Sequence, residues 1–300
     1  MADFETIRDA KNDLIRAHLH FAILFDSMDN DGVTTLEDPA SGDLLIPETA
    51  VSAGVIEKKA GVSLTHSIDS TDVEGYGDAE PVRTIISKRS VSFDAEYLET
   101  NKVVLEKFWG VDFVDGDNLT VSAAGGVTIE TPNLPKDIFY RAYLVATDDV
   151  NGEDLYAYYI MPKVKLTKVD NQDSKDDGAV SYKMTFQAFR DDDLKFSVVQ
   201  GWCGPGWLRL VDKTGFVAPL ASLTITPATV SVVVGHDEQL VVTGSNEINY
   251  TPIVKFSSAD TTKVTVDKFG EVTGVAVGSA AVTAKYGSVT ATKTVTVTAS

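Results

Sequence analysis

The C-terminal 80 residues consist of short runs rich in β-branched residues, and this feature constrains the fold more than any other. Runs such as KVTVDKFGEVTGVA alternate apolar and polar positions, and Gly, Asp, Asn and Pro separate the runs every eight to twelve residues. Successive side chains of a strand point to opposite faces, so each run predicts a strand with one buried face. The spacing of the runs predicts a small β-sandwich.

One turn within this part is specific enough to assign. Lys268–Gly270 lies between VTV and EVTGV, which predicts a tight hairpin in which Gly270 adopts a positive φ. The part contains no Trp and no Cys. Its core must therefore depend on Val, Ile, Leu and Phe256, without the disulfide and Trp of antibody domains.

The same residues resemble a bacterial Ig-like domain of the group 2 type, over nearly all of 222–298. The resemblance depends on four stretches, ITPATVSVVVG (225–235), FSSAD (256–260), VTVDKFGEVTG (264–274) and GSAAVTA (278–284). Such domains serve as spacers or weak adhesion modules. The resemblance therefore implies a location on a surface more than a chemistry.

Charge is distributed unevenly along the chain. Of 44 acids and 26 bases, 38 acids and 21 bases precede residue 220, so the net charge is about −17 before that point and −1 after it. An acidic surface repels nucleic-acid phosphates, whose binding depends on Lys and Arg displacing counterions. Tight DNA binding is therefore not expected. A solvated surface that keeps the protein soluble accounts for the same charge.

Several general features indicate the setting. Cys203 is the only cysteine in the sequence and cannot form an internal disulfide. The first residues lack a basic and apolar signal peptide, and no run approaches the roughly 18 apolar residues of a membrane span. We expect a soluble chain that folds in a reducing cytoplasm and has no membrane partner.

The N-terminal part also has mostly strand patterns. Strands are predicted over 17–26, 82–99, 141–149, 154–170 and 180–191. The composition changes after GWCGPGWLRLV (201–211), so a linker is expected near 212–221. This divides the chain into domains at 1–215 and 216–300.

One helix is predicted among these strands. Thr100 and Asn101 can cap the segment KVVLEKFW, and Gly110 can end it. Its expected packed face consists of Val104, Leu105, Phe108 and Trp109. The fold class is therefore mainly β: a sandwich or barrel with one packed α-helix, followed by an Ig-like sandwich.

Residues 15–210 resemble the core of major tail tube proteins of long-tailed phages, particularly phages of actinobacterial hosts. The resemblance depends on GVSLT (61–65), EPVRT (80–84), SVSFDAEYLETNKVVLEKFWG (90–110), IMPKVKLTK (160–168) and YKMTFQAFR (182–190). It is one of pattern and order and contains no catalytic motif. The acidic insert DSMDNDGVTTLEDPASGD (26–43) departs from the family pattern.

This resemblance implies rings of six subunits, joined by sheet pairing and stacked head to tail into a tube. A loop at about Asp69–Pro81 would reach the neighbouring ring, with Tyr76 as its anchor; the alternative is an ordinary exposed loop. The implied inter-ring contact residues are Asp69, Asp72, Glu74, Tyr76, Asp78 and Glu80. Further implied partners are the tape measure, tail terminator and baseplate proteins, and DNA in transit through an acidic lumen. The implied location is the virion tail, made in the host cytoplasm.

No motif favours an enzyme, a cofactor or a metal site. The segment SMDNDG resembles a calcium loop, but Ser27 and Asp38 occupy its first and twelfth positions and no helices flank it. His18 and His20 share a predicted strand face without a third ligand, so two partly buried strand histidines are favoured. The run at 191–193, three aspartates, fits a lumen lining or a solvated hairpin end equally well. No nucleophile elbow or phosphate-binding loop is present.

Two functional hypotheses follow. The favoured one is a self-polymerising tail tube subunit with an exterior Ig-like domain. The alternative is a virion surface, decoration or adhesin protein whose Ig-like domain binds host-cell carbohydrate. The two can coexist, because many weak exterior contacts can act together.

Overall fold

The computed structural model describes residues 3–39, 41–131, 136–172 and 178–299. It is mainly β, with 48% strand and 7% helix in several sheets, which confirms the predicted fold class. The chain divides into two compact units. One unit comprises Ala17–Asp148 and Tyr156–Trp202, and the other takes the rest of the chain. The boundary expected at 215/216 stays a prediction.

The strands up to residue 203 form one large sheet and one small hairpin. The order in the large sheet is β2-β1-β7-β8-β9-β4-β3, with β10 also paired to β8, while β5 and β6 form the hairpin. The bounds are β1 (His20–Ser27), β2 (Val51–Ser52), β3 (Val62–Glu74), β4 (Pro81–Tyr97), β5 (Leu119–Val121), β6 (Val127–Ile129), β7 (Tyr140–Val150), β8 (Glu153–Val169), β9 (Tyr182–Ala188) and β10 (Val199–Cys203).

The large sheet curls into a barrel. Three strand spacings separate β1 from β9, which is about 14 Å in a flat sheet. The rings of Phe25 on β1 and Phe186 on β9 are nevertheless 5.0 Å apart. A β-bridge joins Ile56 to Tyr97, and the Leu98 N–H donates to the Val55 carbonyl at 2.9 Å. The segment after β2 therefore connects the two sides of the sheet, with the apolar core inside.

The core of the barrel follows the alternation that the sequence shows. On β4, Val91, Phe93, Ala95 and Tyr97 are buried and the residues between them are partly exposed. The Phe93 ring stacks on that of Phe186. A strand with one face inside a barrel buries every second side chain, so the predicted strands and the observed core agree.

The predicted helix is α2 (Lys102–Trp109). Its packed face differs from the prediction at Trp109, which is exposed. Val104 is buried, and Leu105 and Phe108 are partly buried against the barrel core, but Trp109 is 50% exposed. At 100° per residue, Trp109 lies about 140° around the helix from Val104, beyond the buried stripe. Lys107 lies within that stripe and is buried instead.

The cap of α2 is formed as predicted. Asn101 Oδ1 accepts a hydrogen bond from the Val104 N–H at 2.9 Å, and Gly110 ends the helix with φ 60°. The other helical elements are short: α1 (Phe4–Arg8), α3 (Pro205–Leu208) and two 3-10 turns (Asn12–Leu14 and Val211–Lys213). In the part of the chain that the structure describes, no helix has the length and apolarity to cross a membrane.

The remaining strands form the Ig-like sandwich. Its three sheets have the orders β11-β14, β12-β19-β18-β15 and β13-β17-β16. The bounds are β11 (Leu223–Thr226), β12 (Val230–Val233), β13 (Asp237–Gln239), β14 (Val241–Gly244), β15 (Lys255–Ser258), β16 (Val264–Val266), β17 (Glu271–Gly274), β18 (Gly278–Tyr286) and β19 (Val289–Thr298).

The sandwich has its own apolar core. Val264, Val272 and Tyr250 are completely buried in it, and Phe256 packs against it while partly exposed. Gly270 has φ 86°, which confirms the predicted hairpin turn between β16 and β17. A Cβ at this glycine would lie 2.8 Å from the Leu240 carbonyl oxygen, so the close approach also requires glycine.

Candidate assembly surface

The hairpin of β3 and β4 extends beyond the barrel that carries it. The two strands pair from Val62 opposite Ala95 to Glu74 opposite Pro81. Residues 67–89, which we call the arm, are exposed on both faces, except that Gly75 is partly buried. At roughly 3.3 Å per residue, the eight arm residues of β3 span about 26 Å. The arm is thus a projecting two-stranded ribbon.

Apolar side chains lie on both faces of the arm. Ile86 lies opposite Ser70 on the same face as Ile68, whereas Ile85 and Val73 lie on the other face. Ile86 is 66% exposed and Ile68 is 60% exposed. An isolated ribbon of two strands is only marginally stable in water, and exposed apolar surface of this kind marks contact sites. The arm therefore has the composition of a surface that another molecule covers.

Local hydrogen bonds hold the two strands of the arm together. The Thr84 hydroxyl donates to Asp72 Oδ1 at 2.6 Å, and the Ser87 hydroxyl donates to the Asp69 carbonyl at 3.1 Å. The register shifts between Asp69 and Ser70 and again before Glu74, as bulges that increase the twist of a ribbon.

The structure corrects the extent of the predicted contact loop. The segment expected to be a loop from Asp69 to Pro81 is strand as far as Glu74. Asp69, Asp72 and Glu74 therefore lie on β3, and Tyr76, Asp78 and Glu80 lie in the short connection to β4. Its low apolar content suggested a loop, but cross-strand pairing with residues 83–88 supports the extended backbone instead. Tyr76 is fully exposed at the tip.

The arm is also polarised in charge. Residues 74–81, the tip of the arm, contain three acids and no base, and Asp69 lies nearer the barrel opposite Lys88. Lys88 and Arg89 lie at the opposite end of the arm, close to the barrel. The tip of the arm is thus acidic and its base is cationic.

The three aspartates at 191–193 are not equivalent. Asp191 is buried and accepts hydrogen bonds from the N–H groups of Asp193 and Leu194 at 2.9 Å. It also pairs with Arg141 at 3.3 Å. Burial alone would raise the pKa of Asp191, but these hydrogen bonds and the Arg141 charge outweigh it and lower the pKa. Asp192 and Asp193 are exposed, so only these two could face a lumen.

Arg141 also connects the acidic insert to the barrel. Its Nε donates to the Asn30 carbonyl at 3.1 Å, and its Nη1 donates to the Pro162 carbonyl at 3.0 Å. Nearby, buried Asp26 accepts hydrogen bonds from Asn30 Nδ2 at 2.5 Å and the Thr49 hydroxyl at 2.7 Å. The segment that resembles a calcium loop is therefore a hydrogen-bonded turn of the barrel. Nothing in the sequence distinguished Arg141 as its anchor.

The two histidines near the start of β1 are more exposed than the sequence predicted. His18 precedes β1, His20 begins it, and both are exposed, so the expected partial burial is wrong.

The buried side chain of Lys107 lies against an aromatic ring and a carboxylate. Its Nζ is 4.1 Å from the centre of the Tyr140 ring and 3.7 Å from Glu106. Burial lowers the pKa of Lys107 despite the neighbouring carboxylates of Glu106 and Asp112. Among the described residues, no group of three or more His, Cys, Asp or Glu could hold a metal ion.

Comparison with known proteins identifies the C-terminal part. Residues 219–297 match the family of bacterial Ig-like domains (group 2), which confirms the resemblance drawn from the sequence. No curated protein matches the chain. The chain therefore carries a bacterial Ig-like domain of group 2 over these residues, a domain typical of surface or structural proteins.

Proposed function

We propose that the protein is a structural virion subunit that polymerises as stacked rings of six into a phage tail tube. The observation that carries the proposal is the arm, residues 67–89, whose apolar residues are exposed on both faces of a projecting ribbon. Its role is structural and requires neither catalysis nor a cofactor.

The arm favours self-assembly along an axis. It is one surface of the subunit, and a different surface of the next copy would receive it, so the contact is heterologous. Heterologous contacts that do not close on themselves propagate as filaments. Covering Ile68, Ile86 and their neighbours would also stabilise a ribbon that is marginal alone.

The net charge of the N-terminal part of the chain suits a DNA conduit. The residues before 220 have a net charge of about −17. A lumen lined by acids would let phosphates pass, because few cations are available to displace counterions and bind the DNA. Within such a tail, the tape measure, terminator and baseplate proteins are the expected neighbours, and DNA is present only in transit.

The Ig-like domain fits the exterior of such a tube. It buries its own core and has a net charge near −1, so its fold does not depend on polymerisation. Repeated along a tube, it would give weak but multivalent contact with host-surface carbohydrate. This proposal places the protein in the virion after assembly in the host cytoplasm.

Negative-stain microscopy of the purified full-length protein tests the proposal. We expect hollow tubes with a regular ring repeat, and tails in a phage lysate that are labelled along their length by antibody to residues 222–300. A chain that ends at residue 215 should still polymerise. Absence of tubes from both forms, with cell binding that is lost on truncation, would reject the tube and favour an adhesin.

A further inference from the structure

A groove of about 620 Å³ lies on the barrel at the base of the arm. Three of its lining residues are cationic, Arg89, Arg190 and Lys195, and His66 lies beside them in the lining. No acidic side chain is among the described residues that line it. This basic lining lies in a region where acids outnumber bases by 38 to 21.

Two cations of the groove donate hydrogen bonds to carbonyl groups rather than to carboxylates. Arg190 Nε donates to the Lys195 carbonyl at 3.1 Å, and Lys195 Nζ donates to the Asp192 carbonyl. Across the described ranges, Arg89, Arg190 and Lys195 form no ion pair with a carboxylate, whereas Asp192 pairs with Lys163 at 3.3 Å. Cations that lack carboxylate partners favour an anionic ligand.

The walls of the groove favour a ligand with apolar side chains as well. Tyr159, Phe189, Phe196 and Val198 line it and are partly exposed. Tyr159 is held in place by a hydrogen bond from Gln200 Nε2 to its hydroxyl at 2.9 Å. An acidic segment with a protruding aromatic or aliphatic side chain would match both parts of the lining.

The tip of the arm has this composition. Residues 74–81 contain three acids, no base and the fully exposed Tyr76. The tip cannot enter the groove of its own subunit, because the paired ribbon keeps the tip about 26 Å from the arm base that forms part of the groove. A second copy of the chain is therefore the matching partner.

We infer that the acidic tip of one arm docks in the basic groove at the arm base of the next subunit. This inference rests on the proposed function and names the surface that receives the arm. Each subunit then offers one tip and one groove, so the contact repeats without closing. Opposite charges fix the polarity of stacking, because tip against tip or groove against groove would place like charges together.

Charge reversal tests the docking in the full-length protein. The groove variant Arg190→Glu/Lys195→Glu and the tip variant Asp78→Lys/Glu80→Lys should each reduce sedimentable polymer at least tenfold. The chain that combines both pairs should recover polymerisation, since opposite charges again meet. The matched control Lys58→Glu/Lys59→Glu makes the same charge change at exposed positions outside the groove and should polymerise like the wild type.

A covalent readout separates the docking from the tube. The chain with Ala79→Cys and Ser197→Cys should form a ladder of dimers, trimers and longer species on oxidation, whereas either single variant should stop at dimers. A ladder without tubes would support the docking and reject the proposed function. Tubes without a ladder, and without recovery in the combined variant, would reject the docking and leave the tube.

The same variants test whether the groove receives an external acidic polymer instead of the arm tip of another subunit. If the groove variant polymerises like the wild type but no longer binds a single-stranded oligonucleotide that the wild type retains, the groove receives an external acidic polymer. That result would overturn the inference. Circular dichroism of each variant shows whether it folds like the wild type, so that loss of assembly can be told from loss of folding.

Discussion

The arm and the Ig-like domain use similar strand-forming residues with opposite results. In the Ig-like domain, Val264, Val272 and Tyr250 are completely buried within the domain's own core. In the arm, Ile68 and Ile86 are largely exposed, and no part of the described chain covers either face. Strand formation alone therefore does not decide where apolar surface is buried. We expect the missing burial of the arm to come from another subunit.

The largest expected effect comes from removing the apolar surface of the arm. The variant Ile68→Ser/Ile86→Ser should abolish polymerisation, because the surface that a second subunit would cover becomes polar. The unfolding free energy of the unassembled subunit should change by less than about 0.5 kcal/mol, since both side chains are exposed. Analytical ultracentrifugation measures the polymer, and denaturant titration measures the stability.

The Ig-like domain supplies the matched control for this experiment. Val275 and Val277 are also exposed, at 45% and 62%, but lie on a self-contained domain. The variant Val275→Ser/Val277→Ser should polymerise like the wild type. Equal loss of polymer in both double variants would remove the distinction between the arm and the Ig-like domain.

A second prediction concerns the buried ion pair of the barrel. The change Asp191→Asn removes one partner of Arg141, which remains buried, and should cost about 3–5 kcal/mol. Hydrogen exchange of the β4 and β9 amides in the full chain measures this loss. The exposed neighbour gives the control, and Asp192→Asn should change exchange little.

The same pair predicts a pH dependence with a definite sign. The pKa of Asp191 is lowered in the folded chain, so the unfolded chain binds more protons near and below the normal pKa of about 4. The stabilisation is therefore present above that value and decreases as the pH falls through the folded pKa. Asp191→Asn should lose this part of the acid sensitivity. An unchanged profile below about pH 4 would show that Asp191 does not contribute to it.

A third prediction examines the self-contained fold of the Ig-like domain. Gly270→Ala should destabilise the domain by about 1–3 kcal/mol, because φ is positive and the new Cβ would meet the Leu240 carbonyl. Gly287→Ala also has a positive φ, but its Cβ would meet nothing within 4 Å. Thermal unfolding should therefore show the smaller loss for Gly287→Ala. The reverse order would show that the close backbone approach is unimportant.

How much the sequence predicts depends on where each side chain points. On β4, the alternation that ends in Phe93, Ala95 and Tyr97 was sufficient to predict a buried strand face, and Gly270 was sufficient to predict a turn. Both patterns arise from local backbone geometry, which short stretches of sequence encode directly.

The rest depends on contacts distant in the sequence. Residues 69–74 of the arm contain only one apolar residue, Val73, so they lack the alternation of a half-buried strand and were predicted as part of a loop, although they pair with β4. The burial of Asp191 depends on Arg141, which is 50 residues away. Arg89 and Arg190 come together in the groove because β4 pairs with β9, and no local pattern contains that pairing.

The smallest effect is expected at the cap of α2, which helps to cover the barrel core. Asn101→Ala removes the acceptor of the Val104 N–H and should cost about 1 kcal/mol. Asn101→Ser retains an oxygen that can accept this hydrogen bond and should cost less. Hydrogen exchange of the α2 amides should increase in the alanine variant, while polymerisation should be unchanged, because the cap lies outside the arm and the groove. Loss of polymer in Asn101→Ala would mean that assembly depends on the barrel as a whole and would weaken the assignment of assembly to the arm.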